Sequence, residues 1–373
     1  MTVQTLGRHV ITTGKRRLLG VGAAYPGEPI STAILCDRIH KNFGIKVQRH
    51  ASFLAPKLGV NQRYLCRDFA KAHESPRAGA RNPELAAAAV QLALTRAKLP
   101  SNALGYLISH TATPAALLPA GSAEIARLLA YIGPHAELRQ ACTGFANALQ
   151  FAFALTAEAN AAPVAIVGVE TGSVYFDPHS LQTDASQWIN FLQMGDGAAA
   201  VIIAPDHAVI DSIEPCTYIS SAYFGQLQNA PAPSLSLTSG GSDCATPPNG
   251  TLLFKHDFSA VAAHGAQLLD AGRAILSEAG FDINHASQVV PHQASGAVAP
   301  WLAKYWGIDE ARICAHAKRV GNLGSASIWA ALDDILQSPA ANIGYNKAQH
   351  KNSVLFFGAE ATQYSYGGFV IER

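Results

Sequence analysis

The chain has 373 residues, 49% of them apolar and 14% charged, with a net charge of +1. That length allows two domains or one large duplicated fold, and the low charge content places much of the chain in an interior or a subunit interface. Near-neutral charge, with no basic block beyond Lys15-Arg16-Arg17, excludes the footprint of a nucleic-acid-binding protein.

The first element is a strand over Leu18 to Ala24, ending in Gly20-Val-Gly22-Ala-Ala-Tyr-Pro26. Tyr25 stands where a third glycine would complete a dinucleotide fingerprint, so no nicotinamide site is expected. Ser31 or Thr32 caps a helix through Ile34 and Ile39, and Phe53 to Arg67 reads as loop with a short strand. A helix starts with Asn82 as cap, Pro83 in first position and Glu84 in the first turn, and runs to Ala97. A strand over Leu104 to Ser109 leads to the turn His110-Thr-Ala-Thr-Pro114, followed by a helix from Ser122 to Leu129.

The stretch from Glu137 to Leu155 reads as strand, tight turn and buried helix, with Cys142 at the turning point and Gly144 permitting close backbone approach. A thiol just before a first helical turn faces outward-pointing N–H groups, which predicts a lowered pKa and a ready oxyanion site. Pro163 to Glu170 and Gly197 to Ile203 are apolar strands of the kind buried on both faces. Asp196, in the glycine turn between them, is expected to bond its own backbone. Residues 225–250 read as a long surface loop. Next come a helix from Phe258 to Ala279, a strand over Gln288 to Val290, a helix from Ala297 to Trp306 and another from Ile328 to Leu336. The chain closes with Ser353 to Thr362 as strand and turn and Gly368 to Ile371 as a last strand.

Strands alternate with helices over both halves, which predicts an α/β fold with covered sheets and an internal duplication near residue 205. The six cysteines form no C-x-x-C pair, so neither a disulfide framework nor a metal site is expected, and the compartment is reducing, the cytoplasm. Residues 1–17 carry no apolar segment of the secretory kind, and the uncharged run Gln140 to Ala157 contains too many polar side chains for a membrane span.

Three polar side chains fall after apolar strands or at the mouths of turns: Cys142, His292 in Pro-His-Gln-Ala, and Asn322 in Val-Gly-Asn-Leu-Gly. Taken singly, each has a plain structural reading as buried thiol, satisfied histidine or turn asparagine. Together they make a Cys/His/Asn set in a fold whose sites gather beyond the carboxyl ends of strands.

Gln140-Ala-Cys142-Thr-Gly-Phe145, Gly195-Asp-Gly197, Pro291-His292-Gln-Ala294, Gly321-Asn322 with Ser325-Ala-Ser327, and Phe357-Gly358, in that order, resemble the ketoacyl synthase III group of thiolase-fold condensing enzymes. The resemblance implies a thiolase-like duplicated five-layer αβαβα fold, with the nucleophile in residues 1–205 and the histidine and asparagine in residues 206–373. It implies Cys142, His292 and Asn322 as catalytic residues, and backbone N–H groups of Cys142 and Ala359 as the oxyanion hole. The implied reaction is decarboxylative condensation of a Cys142-bound acyl group with a malonyl thioester. No cofactor or metal is expected, the thioesters of coenzyme A or acyl-carrier protein being substrates.

Phe53 and Lys57 align with residues that contact coenzyme A. Thr111 to Pro119 resembles the family's dimer-contact loop, in which Leu118 stands where a bulkier residue favours acetyl, so a medium-chain or branched donor is expected. A homodimer is expected, with a heteromeric pair as the alternative, and neither nucleic acid nor membrane is a partner. Glu360 departs from the family's third glycine and is expected to face solvent. Competing functions are an acyltransferase passing the acyl group to an alcohol or amine, and a non-catalytic partner subunit.

Overall fold

The computed structural model describes residues 6–71, 80–206, 216–237, 239–246, 254–338 and 353–372. Nine strands form one mixed sheet: β1 (Leu6–Ala24), β2 (Tyr106–His110), β3 (His135–Leu138), β4 (Val164–Glu170), β5 (Gly197–Pro205), β6 (Tyr218–Leu227), β7 (Gln288–Pro291), β8 (Ser353–Glu360) and β9 (Ser365–Glu372). Their lateral order is β7-β8-β9-β6-β1-β5-β4-β2-β3. The long β1 joins the halves: Arg16 to Ala24 pair antiparallel with β5, and Leu6 to Arg17 pair antiparallel with β6.

Outward from β1, the first half runs through its first, fifth, fourth, second and third strands. Outward from β6, the second half runs β6, β9, β8, β7 and then Ile313, whose backbone bridges Val289 in parallel. The order is the same, so the duplication expected from the alternation of elements is present although the letters hardly repeat. The division expected at 205/206 falls at the end of β5.

Side-chain alternation along β4 sorts the layers. Ala165, Val167 and Val169 face the helix Asn82–Ala97, whose Ala86, Ala89, Val90, Ala93 and Leu94 bury against them. Val164 and Ile166 face the other way, onto the helices Gly144–Leu155 and Ser327–Gln337. Those two helices share a core cluster with strands of both halves. On the far side, Phe258–Glu278 and Val298–Trp306 cover the second half of the sheet. Counted across, these are the five layers of an αβαβα sandwich. The glycines that resemble a dinucleotide fingerprint serve this packing: a Cβ on Gly20 would lie 2.2 Å from the Ala93 carbonyl oxygen, and one on Gly22 2.7 Å from that of Ala89.

Several local expectations shift. Gln48–Leu58 is a helix rather than loop: Ala51 is buried, Leu54 and Leu58 pack on the same cluster, and Gly59 closes the helix with φ +63°. The helix cap moves from Asn82 to Arg81, whose N–H donates to Glu84 (2.8 Å). Asn82 instead turns its amide inward to the Thr113 carbonyl (2.9 Å). Asp196 does not bond its own turn: it accepts from the backbone N–H groups of Cys66 (2.7 Å) and Ser173 (3.1 Å) and from the Ser173 hydroxyl. The expected loop 225–250 begins as strand and folds inward at Leu235–Ser236, which pairs with Lys255–His256; residues 238 and 247–250 lie outside the described residues. Among the described residues no helix is long and apolar enough to cross a membrane.

Candidate active site

Cys142 lies in the turn between β3 and the helix Gly144–Leu155, and is 9% exposed. The turn is tight: Gly144 N–H donates to the Ala141 carbonyl (3.0 Å). Beneath it sits the fully buried His110, the last residue of β2, whose Nε2 accepts from the Trp329 indole N–H (3.3 Å). A Cβ on Gly144 would meet His110 Nδ1 at 2.7 Å, so glycine is needed here for close approach. Gly144→Val is therefore expected to destabilise the fold by about 1–3 kcal/mol and to displace the cysteine. A thermal melt and the rate of thiol labelling check both effects.

The turn is also held from across the sheet. Thr143 donates its backbone N–H (2.8 Å) and its hydroxyl (2.7 Å) to Glu360, while Gln140 donates to the Thr143 hydroxyl (3.2 Å). Glu360 is 2% exposed, so the expectation that it faces solvent is wrong. As a residue of β8 it alternates inward, where the Thr143 N–H at the start of a helix stabilises a carboxylate. The lowered thiol pKa expected for Cys142 is also overturned. Burial pushes the thiol up, the Glu360 and Glu170 carboxylates push it further, and only the backbone hydrogen bond at the turn pulls it down. Desolvation of a thiolate outweighs the helix terminus.

His292 follows β7, and its N–H donates to the Phe357 carbonyl in β8 (2.6 Å). Gln293 locks the loop: its amide donates to the Pro291 (2.7 Å) and Cys314 (3.1 Å) carbonyls and accepts from Ala317 N–H (3.1 Å). This explains the glutamine in the motif. Burial alone depresses the His292 pKa to about 4, so the ring is neutral at physiological pH. Asn322 follows Gly321, where φ is +77°. Its backbone exchanges hydrogen bonds with Gln193 (2.8 Å) and Gly195 (2.9 Å), and its Oδ1 accepts from Gly324 N–H (3.0 Å) and the Ser327 hydroxyl (3.3 Å). With the oxygen occupied, the amide NH2 is the end free to donate.

Ala359 supplies a backbone donor by strand geometry. N–H and C=O of one strand residue point to the same side, and successive residues alternate. Since Phe357 C=O faces β7, the Ala359 N–H faces that side too, but β7 ends at Pro291, paired with Phe357. The amide therefore projects past the end of the neighbouring strand.

Cys142, His292, Asn322, Ala359 and Glu360 all line one cavity of about 550 Å³, walled by apolar residues including Leu235, Leu268, Val298 and Trp301. Leu58, at the end of the Gln48–Leu58 helix, also lines it. On that helix Phe53 is 62% exposed, with Lys57 Nζ 3.6 Å above its ring. A second cavity of about 600 Å³, lined by Pro114, Leu117, Arg139, Tyr175 and Phe254, meets the first at Leu235 and Glu360. Leu118 does not line either cavity and is 87% exposed.

Reading the sequence missed Glu170. Its buried carboxyl accepts from Ala112 N–H (3.0 Å) and from the Thr113 and Ser325 hydroxyls, tying the loop after β2 to the segment that carries Asn322. Nothing in the local letters marks it, because its partners come from both halves. Three buried histidines and the half-buried His256 have pKa values depressed by burial, His110 to about 3 and His256, His292 and His316 to about 4. Unfolded histidine titrates near 6.5, so the unfolded chain binds more protons below that pH. This part of the stability is complete above about 6.5 and is lost as pH falls towards 4. From pH 7 to 5 each such histidine should cost about 2 kcal/mol, read as a falling Tm or denaturation midpoint.

A duplicated αβαβα sandwich with a cysteine, a neutral histidine and an asparagine around one cavity fits the thiolase-like condensing fold that the sequence resembles. The profile of 3-oxoacyl-(acyl-carrier-protein) synthase III matches residues 136–217, and that of its C-terminal part matches residues 276–372. A 3-oxopimeloyl-(acyl-carrier-protein) synthase of Rhodothermus marinus is 27% identical over 327 residues, covering 84% of each chain. The 3-oxoacyl-(acyl-carrier-protein) synthase III of Pseudomonas aeruginosa superposes with a TM-score of 0.74 at 22% identity, over 96% of this chain and 98% of that one. A tetronic acid condensing enzyme superposes with a TM-score of 0.78 at 20% identity, over 96% of this chain and all (100%) of that one. In sequence and in fold the chain is similar to the ketoacyl synthase III group of condensing enzymes.

Proposed function

We propose that the protein condenses an acyl group carried on Cys142 with a malonyl thioester, in fatty-acid or specialised-metabolite synthesis. The observation that carries this reading is the shared cavity of Cys142, His292, Asn322 and Ala359. The sulfur attacks an acyl thioester, the departing thiol takes up the proton, and the N–H groups of Cys142 and Ala359 hold the tetrahedral oxyanion. A malonyl thioester then loses carbon dioxide. Its enolate oxygen accepts from the neutral His292 ring and the Asn322 amide while the carbon attacks the acyl-cysteine, and the Cys142 sulfur leaves.

In this reading no metal or cofactor takes part, and coenzyme A or carrier-protein thioesters are the substrates. Phe53 and Lys57 stand on the helix whose end lines the cavity, a suitable place to meet a coenzyme A head group. A carrier protein would meet Lys304, Lys318 and Arg319, of which Lys318 pairs with Glu310 (3.9 Å) and Arg319 with Asp334 (2.5 Å). In a homodimer the exposed Leu118 would reach the partner subunit's acyl site, and its modest size leaves room for a medium or branched chain. The test is intact-mass measurement after incubation with acetyl-CoA or octanoyl-CoA, followed by malonyl-CoA. The octanoyl adduct should form at least about tenfold faster, a difference of ~1.4 kcal/mol within reach of pocket burial. Carbon dioxide should then be released with a 3-oxoacyl product. Acetyl preference refutes the chain-length reading, and acylation without carbon dioxide release refutes the condensation.

A further inference from the structure

His110 is fully buried beneath the nucleophile turn, and the condensation steps give it no task. Its ring is clamped. A Cβ on Gly144 would lie 2.7 Å from Nδ1 and one on Gly168 2.7 Å from Cε1, so glycines on both sides leave little more than the thickness of the ring. The far end is fixed by Trp329, whose indole N–H donates to Nε2 (3.3 Å). An indole can only donate, so Nε2 is an acceptor and the single proton of the neutral imidazole sits on Nδ1. That N–H is turned to the Ala141 carbonyl, which accepts from Gly144 N–H (3.0 Å) and keeps a second lone pair. In the free protein the contact is open, since Nδ1 is buried without a completed hydrogen bond. Ala141 C=O and Cys142 N–H belong to one rigid amide and point to opposite sides of it. Among the described residues no backbone carbonyl takes up the Cys142 N–H, so whatever holds the carbonyl aims that donor.

We infer that His110 is a positioning residue for acyl transfer: its Nδ1–H closes onto the Ala141 carbonyl as negative charge develops on the acyl oxygen at Cys142, and through that peptide it aims and polarises the Cys142 N–H. This rests on the reading that Cys142 carries an acyl group, and is independent of what the group is passed to. Hydrogen bonds in series strengthen one another, and catalytic bonds that are long in a free enzyme tighten when the reacting group arrives. The relay runs from Trp329, on the helix Ser327–Gln337 that follows Asn322, through His110 to the turn that holds Cys142. One ring thus joins the asparagine segment of the second half to the nucleophile of the first. No proton is transferred, and the histidine stays neutral throughout.

The experiment follows octanoylation of Cys142 in the whole protein by rapid-quench intact mass, and carbon dioxide release from malonyl-CoA by the free and the acylated protein. His110→Leu fills the slot without a donor, whereas His110→Asn places an amide N–H where Nδ1 stands. His110→Leu should lower the acylation rate constant at saturating octanoyl-CoA by about tenfold or more, part of what one oxyanion donor provides, with the half-saturating concentration changed by less than about threefold. His110→Asn should acylate within about threefold of the wild type, although it leaves the larger void and should melt no higher than His110→Leu. Both should release carbon dioxide within about threefold of the wild-type rate, since His292 and Asn322 hold that enolate. Trp329→Phe keeps the histidine but frees Nε2 to take the proton, and should slow acylation by about threefold or more; combined with His110→Leu it should add nothing further. An unchanged acylation rate in His110→Leu overturns the inference. So does a His110→Asn protein as slow as His110→Leu, or acylation and carbon dioxide release falling together, as a loosened fold would give. If neither His110 variant folds, Trp329→Phe decides by the same comparison of acylation with carbon dioxide release. A wild type that is acylated but releases no carbon dioxide overturns the condensation reading alone, and the acylation rates still decide this one. Absence of any adduct on wild-type Cys142 overturns both.

Discussion

Cys142→Ala is expected to show no mass increase with any acyl-CoA and to lose condensation by at least about four orders of magnitude, since covalent catalysis cannot proceed without its nucleophile. The fold should tolerate the change, because the turn is held by Gly144 N–H on Ala141 and by Thr143 on Glu360 rather than by the thiol. A melting temperature near that of the wild type would separate lost chemistry from lost structure. The acylation rate of the wild type should also be sluggish at neutral pH and rise into alkaline pH. Burial and the Glu360 and Glu170 carboxylates hold the thiol protonated, so thiolate forms only as pH climbs or as substrate binding drives it. A labelled Cys142→Ala protein would overturn the assignment.

Asn322→Ala should separate the two half-reactions. The amide touches neither the thiol turn nor the Ala359 N–H that would hold the first oxyanion, so the Cys142 adduct should form at close to the wild-type rate. Condensation, which needs the enolate held, should fall by about two to three orders of magnitude, the usual cost of one such donor. The substitution also leaves Gly324 N–H and the Ser327 hydroxyl without their acceptor, so the next helix loses part of its N-terminal support. Asn322→Asp keeps an acceptor for both and still removes the donor. If the loss is catalytic, Asp and Ala fall together in condensation while Asp retains more stability; equal rescue of both by Asp would show a structural role only.

The candidate cysteine, histidine and asparagine could be picked out because each sits in a short segment with its own local logic. The turn around Cys142 needs Gly144, the loop around His292 needs Gln293, and the one around Asn322 needs Gly321. The helix Gln48–Leu58 was not legible, because its buried face is supplied by Trp188 and Phe191, far along the chain. Asp196 looked self-bonded for the same reason: the amides it accepts from belong to Cys66 and Ser173.

Sequence alone determined the alternation of strands and helices and their approximate bounds, suggested the duplication, and singled out the cysteine, histidine and asparagine as candidates, since periodicity and turn chemistry are local properties of the chain. Tertiary structure decided the rest. Whether a side chain is wet or dry depends on residues brought from elsewhere, and that is what turned Glu360 inward, raised the thiol pKa instead of lowering it, and placed a carboxylate between two cavities. Charge in a low-dielectric interior is governed by neighbours in space, and β8 beside the nucleophile turn is a neighbour that no stretch of letters records.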